Sequence, residues 1–64
     1  MFEFRRIRSM DLTVIRRVAE YCMDKKIVFE FHEDDHSPSC IFFYSSDLDY
    51  RRILFYNGLN DDPL

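Results

Sequence analysis

An α+β domain of β-α-β-β-β order, an antiparallel sheet with one amphipathic helix on one face, follows from three observations on this 64-residue chain. Apolar residues from Leu12 to Met23 recur at helical spacing, which places them on one stripe of a helix. From Ile27 the period drops to two, the signature of a half-buried strand. Cys40 to Ser45 then runs through aromatic and β-branched side chains, which suit a strand apolar on both faces.

Each element can be justified in chain order. Phe2 and Phe4 alternate with Glu3 and Arg5, so residues 2–8 read as a short strand with both phenyl rings on its inner face. Ser9 or Asp11 offers an oxygen to the free amides of a helix start. The helix covers about residues 10 to 25, with Leu12, Ile15, Val18, Ala19, Cys22 and Met23 on its apolar side. Lys25 and Lys26 fall at its negative end. In the next strand Ile27, Phe29 and Phe31 face the core, and Val28, Glu30 and His32 face away. Asp34 to Ser39 is a polar loop containing a proline, and Asp34 and Asp35 suit a solvated turn there. In Cys40–Ser45, Ile41 and Phe43 join the core while Phe42 and Tyr44 point outward.

Residues 46–57 admit two readings. Ser46-Asp-Leu-Asp49 has the form of a capping box, which would make 46–57 a helix and the order β-α-β-β-α. On a helical wheel, however, Leu48, Tyr50, Ile53, Leu54, Phe55 and Tyr56 scatter all round. As a strand, Ile53 and Phe55 face inward and Tyr50, Leu54 and Tyr56 outward, with Ser46 to Asp49 as a hairpin loop. The strand is the preferred expectation. Residues 1–58 then form one domain and residues 59–64 a flexible acidic tail. The expected core is Phe2, Phe4, Leu12, Ile15, Val18, Ala19, Cys22, Ile27, Phe29, Phe31, Ile41, Phe43, Ile53 and Phe55.

Composition narrows the function. A chain this short buries only about 60% of its unfolded surface and carries one small core. It has one Gly and two Pro, too few for a glycine-rich phosphate loop. Residues 1–26 hold seven basic against four acidic side chains, and residues 27–64 hold two against eight, within a net charge of −3. That balance argues against general duplex-DNA binding. Cys22 and Cys40, with no apolar leader at Met1, read as reduced thiols of a cytoplasmic protein. Apolar runs such as Ile41 to Tyr44 are far short of a membrane span.

One helix covers one sheet face, so the opposite face is left with Val28, Phe42, Tyr44, Tyr50, Arg52, Leu54 and Tyr56. Aromatics with arginine are the residues enriched in protein interfaces, and these seven are the candidate partner-binding residues. The expected function is a non-enzymatic modulator, a regulator or inhibitor of a larger protein, that binds a protein partner or a second copy of itself. No cofactor and no small-molecule substrate is expected, because a small sheet with one helix offers no deep cleft. Two alternatives use other chemistry. The same aromatics could stack the bases of a single strand, although the acidic strands would repel phosphate. His32, His36 and Cys40, spaced four apart among carboxylates, are zinc-competent donors without the spacing of a tight ligand knuckle. Cys40 with either histidine could also be written as a thiol–imidazole pair. The acidic groups Glu30 to Asp35, Asp47, Asp49, Asp61 and Asp62 would imitate a phosphate backbone only if aligned along one edge.

Overall fold

A computed structural model describes residues 1–34 and 36–59. The strands are β1 (Phe2–Ser9), β2 (Phe29–His32) and β3 (Ser39–Ser46), and the helices are α1 (Leu12–Asp24) and α2 (Asp47–Tyr56). The order β-α-β-β-β is therefore corrected to β-α-β-β-α, the arrangement in which 46–57 is helical. β3 lies in the middle of the sheet and pairs antiparallel with both neighbours, from Phe2↔Ser46 to Ser9↔Ser39 on one side and from Phe29↔Phe43 to His32↔Cys40 on the other. β1 and β2 thus run parallel to each other with β3 between them. Parallel strands need a crossover, and α1 supplies it.

α1 forms where the sequence periodicity puts it. Asp11 is its N-cap, with the carboxylate accepting from the Thr13 amide at 2.9 Å. Ser9 sits one step back, its hydroxyl oxygen accepting from the Asp11 amide at 3.0 Å. Ile15, Val18, Ala19 and Cys22 are buried against the sheet. The helix closes with the Lys26 amide on the Met23 carbonyl and the Ile27 amide on the Cys22 carbonyl, at 3.2 and 2.8 Å. This is the Schellman arrangement, and it requires a left-handed residue. Lys26 fills that position at φ 58°.

α2 begins without a connecting loop. Ser46 ends β3 and caps α2: its hydroxyl accepts from the Asp49 amide at 3.2 Å and lies 3.3 Å from the Asp49 carboxylate. Asp47 and Asp49 stand in the first turn, where the helix dipole favours negative charge. The C-terminus repeats the Schellman pattern with the amides of Gly58 and Leu59 on the carbonyls of Phe55 and Leu54, at 3.2 and 2.9 Å, and here Gly58 takes the positive φ. The wheel looked featureless because exposed Leu48, Phe55 and Tyr56 mask a real stripe of Tyr50, Ile53, Leu54 and Asn57.

Both helices pack on the same face of the sheet. The Tyr21 hydroxyl of α1 donates to Asp49 of α2 at 2.6 Å and ties them together. The buried core is Ile7, Ile15, Val18, Ala19, Cys22, Ile41, Phe43, Tyr50 and Ile53, with Ile27, Phe29, Phe31, Leu54 and Leu59 packed around it. Three expected core residues are corrected: Phe2 and Phe4 are exposed on the far side of the sheet, and Phe55 is 82% exposed on α2. Leu12 is half-buried. The phenyl rings of β1 lose their inward place to Ile7, which has the opposite phase and is 3% exposed. Leu59 packs against the core, unlike the flexible tail expected from residue 59, and positions 60–64 of that tail, Asp61 and Asp62 included, lie outside the described residues, as does Asp35. Among the described residues no helix is long and apolar enough to cross a membrane.

Candidate functional site

With both helices on one side, the other face of the sheet has no covering element among the described residues. The pleat fixes which side chains stand there. β1 contributes Phe2, Phe4, Arg6 and Arg8, and β3 contributes Cys40, Phe42 and Tyr44. Val28, Glu30 and His32 come from β2 and the residue just before it. Across the strands Phe4 faces Tyr44, and Phe42 stands between Arg6 and Glu30.

The aromatic rings meet. Phe4 and Phe42 stack with centroids 5.8 Å apart and planes 14° from parallel, and Phe4 and Tyr44 tilt together at 5.3 Å. His32 sets its edge against Phe42 at 5.5 Å. Such pairs are worth about 0.5–1.5 kcal/mol beyond the area they bury. Phe4, Val28, Glu30, Phe42 and Tyr44 border an open, mainly apolar concavity of about 360 Å³. Val28 is 82% exposed and Phe4 42%.

The seven expected contact residues therefore divide. Val28, Phe42 and Tyr44 lie together on the open face. Tyr50, Arg52, Leu54 and Tyr56 do not, because they belong to α2 on the covered side: Tyr50 is buried, Leu54 packs on the core, and Arg52 and Tyr56 face solvent from the helix. Sequence reasoning missed Phe2, Phe4, Arg6 and Arg8. The available signal was Ile7, since one strand cannot send both Phe4 and Ile7 to the same side.

The thiol and imidazole groups are also placed. His32 and Cys40 are cross-strand neighbours on the open face, and the Cys40 thiol lies 3.9 Å from the Pro38 carbonyl. His36 sits in the loop, where its amide donates to Asp34 at 2.8 Å and helps hold that carboxyl below its usual pKa. Among the described residues no three His, Cys, Asp or Glu side chains come together as a metal-holding group. His32 Nε2 lies 3.5 Å from the Glu30 carboxylate. On the covered side, burial and then the Asp49 charge push the Cys22 thiol up to about 11. Burial and the Asp49 hydrogen bond raise Tyr21 as well. A buried thiol held protonated is a poor nucleophile.

The chain matches no protein-family model, and no curated protein or solved structure is significantly similar to it.

Proposed function

We propose that this chain acts by binding a larger protein through its open sheet face, as a non-enzymatic modulator. The observation that carries the reading is the joined cluster of Phe4, Phe42 and Tyr44, bordered by Val28, on a face with no cover among the described residues. A half-solvated sheet normally turns polar side chains to water. Contiguous apolar patches on small proteins usually mark contact sites, and flat aromatics beside arginine are the anchors such sites use. The experiment is capture from the source lysate with wild-type protein and with the double variant Phe4→Asp, Phe42→Asp. Neither ring belongs to the buried core, so the variant should keep its circular dichroism spectrum. A protein retained by the wild type and lost with the folded variant supports the reading. Retention of the same proteins by both sinks it.

A second reading, stacking of single-stranded nucleic acid, is favoured by Arg6 and Arg8 beside the parallel rings of Phe4 and Phe42. Glu30 in the same row and the net charge of −3 oppose it. A labelled oligonucleotide whose anisotropy rises with protein, and whose affinity falls steeply with salt, would promote it over the protein reading.

A further inference from the structure

Each outer strand has one edge without a partner strand among the described residues, and the two edges differ. β2 is four residues long; β1 has eight, and all eight pair with β3 in unbroken register, without proline, glycine or bulge. Proteins commonly blunt an edge by keeping it short or by bulging it. β1 uses neither device and relies on charge.

One of those charges is incompletely satisfied. The Arg5 side chain is only 10% exposed, turned under β1 on the helix-covered side, with its guanidinium 4.4 Å over the Tyr50 ring. Nη1 meets Glu3 at 3.1 Å. Nε and Nη2 are buried and donate to no hydrogen-bond acceptor among the described residues, and Asp47 stands 3.9 Å from Nη2. Buried guanidinium donors are costly to leave unmade, and a carboxylate is the acceptor that fits their fork.

We propose that β1 pairs antiparallel with β1 of a second copy, with Phe4 opposite Phe4 and Glu3 opposite Arg5 of the other chain, making one six-stranded sheet. The register follows from charge. Centred on Phe4, each Glu3 faces an Arg5 and each Phe2 faces an Arg6, an opposite-charge pair and a cation–aromatic pair on the two faces. Centred on Arg5 or Arg6, arginine meets arginine, which is unfavourable. A centre between two residues would turn one copy over and set its helices on the other's open side. In the Phe4 register each Arg5 stands opposite a Glu3 of the other chain, in addition to the Glu3 and Asp47 of its own. Both open faces come up on the same side, so the pairing leaves the aromatic surface free and does not depend on what binds there.

Sedimentation equilibrium and disulfide trapping test the proposal. The wild type should be dimeric. In a Cys40→Ser background, Phe4→Cys should cross-link to itself on mild oxidation, and Phe2→Cys should cross-link when mixed with Arg6→Cys. Glu3→Arg should weaken the dimer about tenfold or more, the size of a lost close charge pair. Circular dichroism reports that each variant is folded, and Phe4 lies outside the core. A wild-type monomer across the accessible concentrations overturns the proposal. So does a dimer that Phe4→Cys fails to trap, or one that Phe42→Asp breaks while Glu3→Arg does not. Loss of partner capture by Phe42→Asp with the dimer intact separates this edge from the open face.

Discussion

α1 and α2 lie on the same side of the sheet, and both end in a Schellman turn, yet their sequences specify them in different ways. α1 is written along its length: Ile15, Val18, Ala19 and Cys22 recur at helical spacing, and the exposed side of the helix is largely charged. α2 is written at its ends. Ser46 and Gly58 bound it, while Leu48, Phe55 and Tyr56 break up the stripe between them. A helix of ten residues is marginal alone, so α2 depends on its caps and on two buried anchors, Tyr50 and Ile53.

The sharpest test of this contrast is the pair Ile15→Ala and Ile53→Ala. Both side chains are fully buried, and each truncation should cost about 2–5 kcal/mol. In denaturant melts the two should be comparable despite the weaker pattern of α2. A loss below about half a kcal/mol at Ile53, against a full loss at Ile15, would mean α2 does not help hold the core.

Where the helices meet, alkaline pH should destabilise the fold. The Cys22 thiol titrates near 9 when unfolded and about 11 when folded, and Tyr21 is shifted in the same direction. A folded state that holds the proton longer is undermined once the unfolded chain can release it. Stability from Cys22 is therefore present below pH 9 and lost as pH rises through 11, a loss on the order of 2–3 kcal/mol. Cys22→Ala should flatten the decline between these values. Parallel declines for wild type and variant would show that the thiol is not its source.

The smallest effects lie at the C-termini and should have opposite signs. Gly58→Ala puts a β-carbon on a residue at φ 63° in open space, so backbone strain alone should cost about 1 kcal/mol. Lys26→Gly relieves the same strain in α1 and should stabilise by about 0.5–1 kcal/mol. Thermal melts can resolve both. Equal signs would mean that the two turns are not equivalent in solution.

The same contrast explains what was legible. α1 and the alternation of Ile27 to His32 could be read because one period dominates each. The alternation of β1 is visible, but Phe2 and Phe4 claim one phase and Ile7 the other. Seating Ile7 inward also buries Arg5, which meets Glu3 of its own strand and Asp47 and Tyr50 of α2, a segment distant in the sequence. The 46–57 segment reads as a strand because apolar residues on its solvent side, Leu48, Phe55 and Tyr56, outweigh the capping box. Val28, Phe42 and Tyr44 of the open face are legible from strand alternation, whereas Phe2 and Phe4 of its β1 half read as core.

The central place of β3 has a consequence for how the chain reaches this state. Every strand pairing in the sheet involves residues 39–46, and the register joins Phe2 to Ser46 across most of the molecule. α1 can coil locally, but β1 and β2 have no native strand partner until Ser39 and its successors arrive. Closing so long a loop must precede the contacts that repay it, which slows the search. Until then two unpaired strands, one edged with Phe2 and Phe4 and the other with Phe29 and Phe31, stand open to wrong partners. A chain cut before Ser39 would keep the sequence of α1 but have no sheet on which to bury Ile15, Val18 and Cys22.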